Sequence, residues 1–149
     1  MDFAPMQTLA GIVVFLYAVS SILGLWLSAY VQDALANGRP LPEPLHDTPK
    51  HHLDLMVNYG SGLRSLAWRI SIAALVTCLI ALAFSNALAF WALGIALGID
   101  ALLFITCKNI GPIMTQTSPK ERLFDVLQGV ALLVCFTLLF WLTLSQVLV

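Results

Sequence analysis

Two ionisable side chains, Arg69 and Asp100, stand inside long apolar stretches of a chain whose other charges gather mostly in two loops. A charged group in bilayer hydrocarbon is costly unless it finds a partner or water, so such residues mark packing, ion or proton sites by default. Residues 66 to 107 form two apolar segments joined only by Ser85 and Asn86. If that turn sets the register, equal rise on the two arms puts Arg69 at the depth of Leu102, close to Asp100. The two are therefore expected to meet, directly or through a third polar group. Counted inward from the ends of their segments, Asp125, Gln128 and Ser28 fall in the same layer, within roughly 12 Å of one face of the membrane. Each apolar segment thus contributes to an intramembrane polar layer of Arg69, Asp100, Asp125, Gln128 and Ser28. A structural ion pair that fixes register is the first reading of this layer, and an ion or proton site the second.

A second concentration of ligand chemistry lies in a loop, where His46, Asp47, His51, His52 and Asp54 hold all three histidines of the chain. His51 and Asp54 would share a helix face, but the spacing matches no established ligand pattern. A solvated or headgroup-contacting segment is favoured over a metal site there, and neither metal nor cofactor is expected. Cys78, Cys107 and Cys135 each sit in an apolar segment without a CxxC, as small packing residues do. There is no GxSxG, HExxH or Gly-rich phosphate loop, so no catalytic residue is assigned and an enzyme is the less favoured reading.

The elements that must position these residues follow from composition. Of 149 residues, 60% are hydrophobic and 10% charged, far from the balance of a soluble domain. The fold class is all-α: a polytopic integral membrane protein, a single domain over 1–149, with four transmembrane helices in a bundle. The spans are expected at about 8–31, 64–84, 87–107 and 122–147, each near the ~20 residues that cross a bilayer. The first helix should run on to Asn37-Gly38, an αL stop. Three of the seven prolines, Pro40, Pro42 and Pro44, lie in residues 37–48, which reads as an extended loop. Thr48-Pro49 then suggests an N-cap for a short interfacial helix, interrupted at Gly60 and Gly62. Ser118-Pro119-Lys120-Glu121 fits a capping box opening the last span.

Small residues at helical spacing predict where helices touch, because apolar bulk gives no preference for protein over lipid. They are Ser20, Gly24 and Ser28 in the first span, Ala67, Ser71 and Ala74 in the second, and Gly94 and Gly98 in the third. All seven Lys and Arg residues belong to the loops 37–62 and 108–120 or their borders. With four spans these loops share a side, and the positive-inside rule makes it cytoplasmic, leaving both termini outside. A bacterial cytoplasmic (inner) membrane is the expected location. The charges carry no nucleic-acid signature.

In length, span number and outward termini the chain resembles the small four-helix membrane enzymes of eicosanoid and glutathione metabolism. The resemblance is one of layout. The Arg, Asn and Glu constellation of those enzymes is not reproduced at Asn58-Tyr59-Gly60-Ser61-Gly62-Leu63-Arg64. The reading from the residues is an interaction protein: a subunit of a membrane complex, or an immunity-type protein that binds and blocks a membrane-active toxin. Its partners would be the lipid bilayer and another membrane protein or a second copy, not nucleic acid. The alternatives are an oligomeric transporter or channel protomer using Asp100 and Arg69, and a four-helix membrane enzyme with a site in the cytoplasmic loop.

Overall fold

The computed structural model describes residues 3–46, 48–107 and 118–149. Described residues are helical or in turns, with no strand among them. In chain order the helices are α1 (Ala4–Ala36), α2 (Glu43–His46), α3 (Lys50–Tyr59), α4 (Gly62–Ala83), α5 (Leu88–Ile105) and α6 (Pro119–Leu144). Four of them, α1, α4, α5 and α6, are long and apolar enough to cross a membrane. Around the bundle the order is α1, α4, α5, α6, with α5 closest to α4 and α6 closing the ring against α1 and α5. The loop after α5, with Lys108 and residues 109–117, and the loop residue Asp47 lie outside the described residues.

Helix ends show why the elements stop where they do. Gly38 at φ 62° lets the Arg39 amide reach the Ala34 carbonyl at 2.9 Å, a Schellman closure at the end of α1. The same closure ends α4 and α6 with non-glycine residues at positive φ, Ser85 at 51° and Gln146 at 55°. There Asn86 reaches Ala81 at 2.8 Å and Val147 reaches Leu142 at 3.1 Å. The last span therefore stops at Leu144, short of the expected 147, and the chain folds back over the α4–α5 turn. Val149 donates to Ser85 at 2.9 Å and accepts from Ala87 at 3.2 Å, while Leu148 is buried.

Two expectations for the first loop are corrected. Residues 37–48 contain one helical turn, α2, because prolines are tolerated in a first turn and this one buries Leu45. The N-cap of α3 is Pro49, not Thr48, so the helix starts one residue later than Thr48-Pro49 suggested. The last span does begin at Pro119, with Arg122 donating to the Ser118 carbonyl at 3.1 Å. The Glu121 side of the expected capping box lies outside the described side chains.

The bundle is layered along its axis. Next to the α4–α5 turn is an apolar core of Ala10, Val14, Leu75, Cys78, Leu93, Ala96, Cys135 and Leu139, with Phe90 stacked on Phe136 at 4.8 Å. At the opposite end α3 takes part. With 33 residues, α1 is about 50 Å long against a hydrocarbon core of about 30 Å. Its final turns therefore run past the other spans and hold α3. The Ser28 hydroxyl donates to the Met56 carbonyl at 2.7 Å and Gln32 donates to the Val57 carbonyl at 3.2 Å. Both acceptors lie in the last turn of α3, where the Met56 carbonyl also accepts from the Gly60 amide at 3.0 Å. Gly60 makes this approach possible, since a Cβ there would lie 2.8 Å from Ser28 Cβ.

α6 departs from the other three at this end. Its buried residues Leu132, Cys135, Leu139 and Leu142 form one stripe, and the stripe continues at helical spacing through Gln128 and Asp125. Yet Asp125 is exposed, Gln128 is half-buried, and no described side chain from Pro119 to Ala131 is buried. Leu123, Phe124 and Leu127 stand 58–67% exposed. The half of α6 nearest the basic loops leans out of the bundle.

Candidate functional site

Between the apolar core and the α3 layer sits one polar contact across the bundle diagonal. The Tyr17 hydroxyl of α1 donates a hydrogen bond to Asp100 Oδ2 of α5. Two serines complete the group: Ser21 lies against the Tyr17 hydroxyl and Ser71 of α4 against the Asp100 carboxyl. Ser71 is 1% exposed, and its Oγ also lies 3.3 Å from the Ala96 carbonyl on α5. Helices α1, α4 and α5 thus each supply a hydroxyl or carboxyl to one cluster, as polar residues inside a membrane bundle are expected to do.

Arg69 is not part of it. Its side chain is exposed, and the described residues contain no ion pair between Arg69 and Asp100. The reason is azimuthal. Ser71 faces α5, and a residue two positions away on an α-helix points about 160° around from it. Arg69 looks outward on the opposite face of α4, where its long stem can carry the charge toward the interface. The expected layer separates in three. Asp100 joins Tyr17, Ser28 joins α3, and Asp125 and Gln128 line the leaning half of α6.

The cation that does serve a structural role is Arg64, at the start of α4. It donates to the Thr106 carbonyl at 3.0 Å and the Thr106 hydroxyl at 3.2 Å, and also to the Leu103 carbonyl. These are acceptors in the last turn of α5, where a cation also complements the helix dipole. Its guanidinium carbon lies 5.1 Å over the Tyr59 ring, tying α3 to the same junction. Burial, and then the Cys107 thiol, push the Tyr59 phenol up to about 12, while Arg64 pulls the other way. Sequence reasoning passed over both Arg64 and Tyr17. The hairpin register that paired Arg69 with Leu102 also places Arg64 near Thr106, and Tyr17 sits on the Ala10, Val14 and Ser21 face of α1.

Of the residues expected to pack, Gly24 lies against Trp68, whose ring would be 3.0 Å from an added Cβ, while Ser71 and Ser28 are buried. Ala67 and Ala74 are half-buried, and a Cβ added at Gly94 would lie 3.3 Å from the Phe136 ring. Ser20 is exposed, because an every-fourth-residue repeat drifts about 40° per step and carries it off the face that buries Ser21 and Ser28. Gly98 has open space around it. In the loop, His46 bonds to the Leu41 carbonyl and Asp54 is exposed, whereas the His51 side chain lies outside the described residues. Among the described residues no three His, Cys, Asp or Glu groups come together as a metal set.

Four long apolar helices packed around a small polar cluster define an integral membrane protein. No protein-family model matches the chain, and no curated protein or solved structure is significantly similar to it.

Proposed function

We propose that the protein works by helix–helix interaction, as a subunit of a membrane complex that receives a transmembrane helix of another membrane protein between α5 and α6. The observation that carries this is the unclosed seam. Continuing the antiparallel register set by Phe90 with Phe140 and Gly94 with Phe136 brings Ala101 opposite Gly129. Both are exposed, and Gly98 and Gly129 have nothing within 4 Å of an added Cβ. Asp125 and Gln128 lie on the α6 stripe that faces this seam. Small residues permit close backbone approach, and polar groups supply interhelical hydrogen bonds, which are the terms that drive association in lipid. An immunity-type protein that occupies a toxin helix would use the same surface.

A photo-reactive residue placed at Ala101 or Gly129 in native membranes should give one discrete cross-linked product, absent when the same residue replaces the outward Leu16 of α1. Filling the seam with Gly129→Leu should remove the product formed from position 101. Equal labelling from all three positions would mean that lipid alone covers the seam.

The half-buried Asp100 carboxyl favours a second reading, an oligomeric transport protomer, although Arg69 stands apart from it. The location that goes with either reading is a bacterial cytoplasmic membrane with the two basic loops inside. A reporter fused after Val149 should then read as external and one inserted near Pro44 as cytoplasmic. The reverse pattern would overturn the orientation.

A further inference from the structure

Of the three arginines in and beside the first loop, two have partners within the chain. Arg39 pairs with Asp33 at 3.1 Å, and Arg64 holds the end of α5. Arg69 has neither an ion pair nor a side-chain hydrogen bond among the described residues, yet it lies inside α4, about 10 Å along the axis from Gly62. A guanidinium cannot shed its charge, and left bare against hydrocarbon it is costly. Its counter-charge therefore comes from outside the chain.

The surroundings say which kind. Leu66, Arg69, Ala73, Val76 and Ile80 follow a 3-4-3-4 spacing and are all exposed, so they form one stripe on the outer face of α4, where acyl chains run. Helical side chains lean toward the helix N-terminus, which takes the Arg69 stem toward the basic loops and over Ser65, one turn nearer. Ser65 is half-buried, and its hydroxyl also has no partner among the described residues. Gly24 of α1 packs on the Trp68 ring and marks the same depth on the neighbouring helix. Trp26 and Tyr30, 64% and 40% exposed, follow within the next two turns toward the loops. Outward Trp and Tyr side chains mark the level of the headgroups, so the guanidinium reaches that level from a base surrounded by acyl chains.

We propose that Arg69, with Ser65, binds the phosphate of an anionic phospholipid in the leaflet on the side of the basic loops. The planar guanidinium takes two phosphate oxygens at once, and the serine hydroxyl donates to a third. The acyl chains lie along Leu66, Val76 and Ile80. A headgroup with net negative charge leaves the site neutral, whereas a zwitterionic one brings a cation for which the site has no use. The partner helix enters between α5 and α6, and Arg69 points away from α5, so the lipid site stands independently of that reading.

Native mass spectrometry of the full chain in micelles, titrated with phosphatidylglycerol or phosphatidylcholine, tests it, with thermal melting alongside. The wild-type protein should retain phosphatidylglycerol in preference to phosphatidylcholine. Arg69→Gln should bind phosphatidylglycerol about tenfold more weakly, as the loss of a charge-assisted contact implies, and should melt with the wild type when no lipid is added. Lys50→Gln, which removes an exposed cation at the start of α3, should bind as the wild type does. Equal losses in the two variants would reveal only a general attraction to basic surface and overturn the proposal. So would equal stabilisation of the wild type by glycerol phosphate, which has no acyl chains and would mark a site for soluble anions. A lipid-free Arg69→Gln that melts lower or fails to fold would show that the chain itself holds Arg69, and would overturn it as well.

Discussion

Arg64→Ala should destabilise the folded protein by about 3 kcal/mol, since charge-assisted hydrogen bonds contribute about 1.5–3 kcal/mol and a cation over an aromatic ring adds about 0.5–1 kcal/mol. The replacement would strip the Leu103 and Thr106 carbonyls of their donor and release Tyr59 from the guanidinium. Thr106 would keep its bond to the Leu102 carbonyl at 2.6 Å, so the loss should appear at the junction of α3, α4 and α5 and leave the core near Phe90 intact. Arg64→Lys should recover part of the loss, because an ammonium keeps the charge at the helix end but not the fork that spans three acceptors. Denaturant unfolding in micelles measures both. Near-equal stability of Arg64→Ala and wild type would show that lipid or water satisfies the end of α5 without Arg64.

Most of the fold was legible in the sequence because a bilayer allows so few solutions. A span must be apolar, helical and about 20 residues long, and Gly, Asn and Pro mark where it stops. The hairpin register was legible too: the turn at Ser85-Asn86 brings Arg64 to Thr106 and Ser71 to the α5 turn that begins at Ala96. Azimuth was not. Arg69 was matched to Asp100 by depth and by charge, while the small residue at the same depth, Ser71, is the one that faces it. Tyr17 reads in sequence as one more aromatic in an apolar run, and only its position on the packed face of α1 distinguishes it. The lean of α6 could not be read either. Periodicity gives the phase of Asp125 and Gln128 on the helix, but the distance of that helix from its neighbours depends on packing further along, around Phe136 and Leu139.

Asp100→Ala should be the most damaging change in the polar cluster, at about 2–3 kcal/mol, because it leaves the Tyr17 hydroxyl without its acceptor in a largely apolar setting. The central claim is that this carboxyl is held across the bundle by Tyr17, so that the cluster belongs to the protein's own interior and the seam beside it is what remains for a partner. A double-mutant cycle tests that claim most directly, since only the cycle separates a pairwise interaction from the cost of each truncation. Tyr17→Phe, Asp100→Ala and the double variant should be non-additive by about 1–2 kcal/mol, the upper range for hydrogen bonds between membrane helices. The parallel cycle with Arg69→Ala should be additive within about 0.5 kcal/mol, as expected for side chains that do not touch. Coupling of Asp100 to Arg69 with none to Tyr17 would contradict the account.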